Sequence, residues 1–220
     1  MDWVAVALTV KLAAMTTALL ALIGLPLAYW LATTHRVWRP VVDAAVAVPL
    51  LLPPTVLGFY FLMSTGPNSI IGRLYGRLVD GTIPFSFTGI LLASVLYNLP
   101  FAVRPFASGF AAVDRRLIEA ARCLGASTPR TFVSVVLPLS WPSVLAGLVL
   151  AFAHTVGEFG VVLMVGGNIP GVTRTIALAI YDDVQAIDYA SANEASLVLL
   201  VFAVCVLGVT YSLQRRTLAL

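Results

Sequence analysis

Charge is the scarcest property of this sequence. Acidic and basic side chains make up 10% of its 220 residues, while 60% are hydrophobic. Soluble domains carry about a quarter charged residues, so this proportion and a mean hydropathy of +0.98 exclude a soluble domain and point to an integral membrane protein. Lysine occurs once, as Lys11 within an apolar run, and no G-x-x-x-x-G-K-[ST] phosphate loop is present, so the chain has no nucleotide site of its own. The two cysteines, Cys123 and Cys205, stand alone and suggest neither a disulfide framework nor a zinc site. No nucleophile–base pair and no metal-ligand cluster is visible, so no catalytic residue and no bound metal are expected. Short alternating segments are also missing, which argues for helical spans over a β-barrel. The net charge of +3 is not a nucleic-acid signal, because the arginines flank apolar spans.

What is present is a series of long apolar runs. An all-α membrane protein is expected, a single domain over 1–220 with five spans at 10–32, 41–63, 86–108, 131–154 and 194–213. The first run lacks a basic leading segment, and from Leu12 to Ala32 it is unbroken and long enough to cross about 30 Å of hydrocarbon. It therefore reads as a retained span and not a secretory signal. The stretch 155–193 is open: a bent continuation of the fourth span, a helix pair at one face, or a sixth crossing. Asn168-Ile169-Pro170-Gly171 within it is a turn signal. Pro49, Pro53 and Pro54 are too many for a regular second span. That span is expected to be broken beside a water-filled cavity, or merely kinked.

Basic residues set the orientation. Nine of the 13, namely Arg36, Arg39, Arg104, Arg115, Arg116, Arg122, Arg130, Arg215 and Arg216, fall on one side. Lys11, Arg73, Arg77 and Arg174 fall on the other, along with the acids Asp2, Asp80, Asp182, Asp183, Asp188 and Glu194. The nine-residue side is expected to be cytoplasmic, which puts the N-terminus outside and the C-terminus and the 109–130 loop inside.

That inner loop carries the most specific pattern. Residues 113–125 read as a short amphipathic helix with Asp114 as N-cap and Gly125 as the left-handed residue that ends it. Arg115 and Glu119, and Glu119 and Arg122, are spaced for pairing on its surface. Leu117, Ile118, Ala121 and Leu124 form an apolar stripe. Thr128-Pro129 is expected to open the next helix with Pro129 first, and Leu137-Pro138 to bend the start of the fourth span. Such a helix either fills a groove on a partner or lies on the membrane surface.

Glu119-Ala120-Ala121, three residues, Gly125, nine residues, Val135, one residue, then Leu137-Pro138 resembles the cytoplasmic docking loop of permease subunits in ATP-driven (ABC-type) importers. The complete spacing, on the face that the arginines mark as cytoplasmic, favours docking. Val48 to Tyr60 (V-P-L-L-L-P-P-T-V-L-G-F-Y), Gly157-Glu158-Phe159-Gly160 and Gly167 to Ile176 resemble molybdate permeases of that class along nearly the whole chain. The resemblance implies a type I ABC importer permease fold in the bacterial inner membrane. It also implies a pair of permease copies, two ATP-binding subunits that hold the ATP and Mg, and an extracytoplasmic molybdate-binding protein. Molybdate, with tungstate as a near-identical passenger, would be the cargo; sulfate or thiosulfate is the alternative, and an ATP-independent secondary anion transporter a more distant one.

A tetrahedral dianion needs a wet path lined by hydroxyls, amides and helix N-termini. Thr16, Thr17, Ser94, Asn98, His154 and Thr155 are candidates, each equally readable as an interhelical hydrogen bond. Glu158 would repel the anion and is expected to secure a gate or a helix end. With His154 at i,i+4 it also offers a proton relay or two metal ligands, too few for a site. Arg104 is expected to reach headgroups or to draw the anion inward. Arg73 and Arg77 in the 64–85 loop, with Asn168 and Arg174, are candidates for contact with the binding protein.

Overall fold

The computed structural model describes residues 1–79 and 81–218, with side chains through Val206; Asp80 and the side chains of Arg215 and Arg216 lie outside the described residues. All regular structure among the described residues is helical. Helix α1 (Trp3–Thr33) opens on Asp2, whose carboxylate accepts the backbone N–H groups of Val4 and Ala5 at 3.0 Å. This cap starts the helix seven residues before the apolar run at 10–32, since charge at the first turn is tolerated where the chain meets water.

Helices α2 (Arg39–Leu51) and α3 (Pro54–Thr65) replace the expected span at 41–63. They meet at an angle of 114°. Pro53 and Pro54 have no N–H to donate, so the helical ladder cannot run through them. The chain breaks there instead of kinking. The 64–85 loop contains a helix, α4 (Ile70–Leu78), capped by the Ser69 hydroxyl accepting from Gly72 N–H at 2.9 Å. Arg73 and Arg77 therefore sit on a helix, not in an irregular loop.

Helix α5 (Phe87–Ala111) is the central post. Its Phe106 is fully buried and fits between two glycines: Gly24 of α1 and Gly147 of α9 (Trp141–Val156). A Cβ on Gly147 would come within 2.8 Å of the Phe106 ring. Glycine lets the helix axes approach closely, and the buried surface is dispersion contact instead of hydrogen bonding. Ser143 lies equally close to Gly109, where an added Cβ would meet it at 2.4 Å.

After α6 (Arg115–Cys123), the chain runs through α7 (Thr128–Thr131), a π-helical turn at Phe132–Val136 and α8 (Leu137–Leu139) before reaching α9. The fourth expected span, 131–154, is thus bent by 77° at Ser140. Pro138 and Pro142 bracket that residue and remove two consecutive-turn donors, while Ser140 Oγ returns to the Val136 carbonyl at 2.6 Å. Ser127 is the N-cap of α7, so Pro129 is its second residue, not its first.

The open segment 155–193 resolves into a helix pair, α10 (Gly160–Gly166) and α11 (Ile176–Gln185), neither long enough to cross a bilayer. Thr9 of α1 accepts the N–H of Ile176 at 2.8 Å and so caps α11 from 167 residues away. Helix α12 (Tyr189–Leu218) closes the fold. Among the described residues three helices, α1, α5 and α12, are long and apolar enough to span a membrane, or up to five spans if each bent pair is one.

Candidate functional site

Two of the chain's breaks meet at one place. Helices α3 and α10 lie side by side in the same direction, because Gly160 abuts Pro54 and Gly58 abuts Met164 and Val161. An added Cβ would come within 2.8 Å of Pro54 at the first site and 2.7 Å of Met164 at the second, so only glycine permits the contact. Their N-termini therefore sit together. In α3, Pro53 and Pro54 carry no N–H and Val56 N–H already bonds the Pro53 carbonyl at 3.0 Å, which leaves Thr55 as the first-turn donor. In α10 the N–H groups before Leu163 precede the first helical bond. Beside them is a cavity of 620 Å³ lined by Pro54, Thr55, Tyr97, His154, Gly157 and Glu158 among others.

One wall of the cavity is a polar bridge. Asn98, fully buried on α5, donates from Nδ2 to Glu158 Oε2 at 3.0 Å and to the Ser94 carbonyl at 2.9 Å. Its Oδ1 lies 2.9 Å from His154 Nδ1. His154 and Glu158, expected as an i,i+4 pair, thus meet only through Asn98. The His154 ring stacks on Phe101 at 3.9 Å between centroids and tilts against Tyr97 at 5.4 Å. Glu158 is 4% exposed, and neither its Oε1 nor the buried Ser94 hydroxyl makes a hydrogen bond within 3.5 Å. The bridge fastens the α9–α10 break to α5.

The other candidates part company here. Thr155 and Thr17 return their hydroxyls to the carbonyls of Ala151 and Ala13, 2.7 and 2.8 Å away, and hold helix geometry. Thr16 is fully buried with its hydroxyl unpartnered. Asn168 and Arg174 are engaged within the chain: Asn168 Nδ2 donates to Asp182 at 2.8 Å, and the Arg174 guanidinium pairs with Asp182 at 2.8 Å. Together they lock the 167–175 turn onto α11. Arg73 and Arg77 are exposed on α4. Arg104 pairs with Asp43 at 3.9 Å.

The 109–130 loop forms an elbow that protrudes from the bundle. Asp114 accepts the Arg116 N–H at 2.9 Å and caps α6. Gly125 has φ +81° and closes the helix with two bonds, Gly125 N–H to Arg122 O at 2.9 Å and Ala126 N–H to Ala121 O at 3.0 Å. That pair is the Schellman ending, which requires a left-handed residue. Glu119, Ala120, Leu117 and Leu124 are exposed, Leu124 at 89%, while Ile118 and Ala121 turn toward the body. The expected Glu119 pairs with Arg115 and Arg122 do not form at ion-pair distance among the described residues. Leu137 and Pro138 make the short helix just before the Ser140 break. Sequence reasoning missed two features: Asn98 as the link between His154 and Glu158, and the unpaired guanidiniums against α6. Neither leaves a local pattern in the chain.

The family model for the binding-protein-dependent transport system inner membrane component matches residues 21–219. The molybdenum transport system permease protein ModB of Azotobacter vinelandii is 48% identical over 214 residues, covering 97% of this chain and 95% of that protein. ModB of Escherichia coli K12 is 37% identical over 187 residues, covering 84% and 80%. A probable sulfate transport system permease protein, cysT of Chlorella vulgaris, is 34% identical over 175 residues, covering 79% and 65%. Among solved structures, a chain of the MetNI methionine ABC transporter superposes with a TM-score of 0.72 at 18% identity, covering 97% of this chain and 94% of its own. At that identity the likeness bears on the fold alone. The inner-membrane components of binding-protein-dependent transport systems, helical permeases that perform no catalysis themselves, are the family to which this chain belongs.

Proposed function

We propose that this chain is the permease of an ATP-driven importer of molybdate, with tungstate as a passenger. The observation that carries the proposal is the cavity where α3 and α10 present their N-termini together, in a chain 48% identical to a molybdenum permease. Helix N-termini stabilise negative charge without a counter-cation, and paired broken helices place such ends at transport sites in membranes. A site of this kind can hold an oxyanion weakly enough to release it. Glu158 lies in its wall and holds the break in position through its bond with Asn98.

The protruding elbow is the docking element for a separate ATP-binding subunit. Leu117, Ala120 and Leu124 are exposed to meet it, with Glu119 exposed at the edge of the helix, Gly125 setting the angle and Leu137-Pro138 linking it to the bent fourth span. Two copies of the chain would enclose the path, with two ATP-binding subunits on the arginine-rich side. An extracytoplasmic molybdate-binding protein would land on the opposite side, where Arg73 and Arg77 of α4 are exposed to meet it. Asn168 and Arg174 would instead shape that surface from within. The N-terminus would be outside and the C-terminus inside.

The test is cellular molybdenum in cells lacking this chain, grown on trace molybdate with excess sulfate. Molybdenum content is expected to fall and to return with the intact gene. Unchanged molybdenum with impaired sulfate uptake would assign the chain to the sulfate branch, which the 34% identical relative makes the natural second reading.

A further inference from the structure

A second cavity, of 460 Å³, lies against α6. Arg115, Glu119 and Arg122 of α6 form one wall, and Arg39, at the start of α2, stands on the other. The floor is apolar, made by Phe110 and Ile118. Three guanidiniums thus face one carboxylate. Among the described residues the ion pairs are Met1–Glu194, Arg104–Asp43 and Arg174–Asp182, and no side-chain hydrogen bond uses Arg39, Arg115 or Arg122. Arg39 also borders an adjoining cavity of 370 Å³, where the acid, Asp43, is paired with Arg104 at 3.9 Å. Three cations against one carboxylate leave the cleft with an excess of positive charge, which attracts an anion that is not part of the chain.

We infer that this cleft binds a phosphate-type oxyanion, supplied by the headgroup of an anionic phospholipid. Arginine is suited to the chemistry, since its planar fork meets phosphate oxygens two at a time. The location favours a lipid over a free ion. The cavity sits at the last turns of α1 and α5, where apolar spans give way to the polar zone, and its floor is apolar. Trp38, 70% exposed beside Arg39, is the aromatic type that settles at headgroup depth. A bound headgroup bridges α6 to the α1–α2 turn and holds the elbow at one angle. Lipid composition therefore sets how firmly the docking helix is anchored, whatever ion the chain transports.

The test needs no transport assay, so its failure is separable from failure of the cargo assignment. The full-length protein in nanodiscs of zwitterionic lipid is titrated separately with phosphatidylglycerol and with inorganic phosphate, and bound molecules are counted by native mass spectrometry. One saturable phosphatidylglycerol per chain is expected. Arg39→Gln with Arg122→Gln should weaken it about thirty-fold, the effect of two basic side chains near an anionic surface. Arg39→Lys with Arg122→Lys keeps the charge but not the fork and should weaken it less than the glutamine pair does, which separates lost binding from lost folding. Arg73→Gln with Arg77→Gln, on α4, should change nothing. Phosphate binding with the same arginine dependence and no lipid binding would assign the site to a free oxyanion. Equal binding by the glutamine variant and the parent, or equal loss in the α4 control, would overturn the site.

Discussion

Asn98 and Gly125 show how single residues set the two working parts. Asn98 satisfies Glu158 and His154 at once, so Asn98→Ala leaves two polar groups at a buried site without partners. Each unsatisfied group costs about 1–3 kcal/mol, and a destabilisation of about 2–4 kcal/mol is expected in a thermal melt of the purified protein. Glu158→Gln keeps an acceptor for Asn98 Nδ2 and is expected to melt close to the parent, whereas Glu158→Leu should fall with Asn98→Ala. An equal loss for the glutamine and leucine variants would mean that the carboxylate's charge, not its hydrogen bond, holds the break. At Gly125 nothing lies within 4 Å of where a Cβ would be, so the only obstacle to a side chain is φ +81°. Left-handed backbone costs most residues about 1–2 kcal/mol, and asparagine visits it readily. Gly125→Asn is therefore expected to retain co-purification of the ATP-binding subunit, and Gly125→Val to lose it. Loss in both would place the constraint in a partner's contact with the glycine instead of in the turn.

At the scale of elements, what could be read in the sequence tracks how local the cause is. The α2–α3 break was legible because Pro53 and Pro54 cause it directly, and the α6 cap and ending because Asp114 and Gly125 act within one turn. The break at Ser140 was not, since Leu137-Pro138 suggested a bend two residues earlier and the π-helical turn carries no sequence signature. Contacts across 56 and 60 residues, which make Asn98 a bridge, and the Thr9 cap on α11 lie beyond any local pattern. Helix α4 was hidden because its glycines, Gly72 and Gly76, read as loop, though Ser69 caps it. The element-level prediction concerns α6. Leu117 and Leu124 are exposed, at 48% and 89%, so changing both to Asp should leave the melting temperature of the isolated permease unaltered. The same change should abolish capture of the ATP-binding subunit in detergent, because charged groups cannot enter an apolar groove unpaired. Capture at parental levels would mean the subunit docks elsewhere.

The whole molecule joins two sites by one helix path. The break at Ser140 stands between the α6 elbow and α9, whose far end carries His154 and leads to Glu158. If the elbow docks as proposed, α7, α8 and α9 are the covalent path by which its motion would reach the cavity wall, and Phe106, keyed between Gly24 and Gly147, is the packing contact on that path. Gly147→Leu would drive a side chain into that ring and is expected to stop transport, while the exposed face of α6 still captures its partner. The central claim is that this chain couples ATP hydrolysis on a partner to oxyanion import. Its most direct test is uptake of radiolabelled molybdate into proteoliposomes that hold the purified permease, the ATP-binding subunit and trapped ATP, with the molybdate-binding protein outside. Uptake that requires ATP, saturates with molybdate, resists excess sulfate and vanishes with Gly125→Val is the predicted result. Uptake that proceeds without ATP, or that persists undiminished in the Gly125→Val protein, would contradict it.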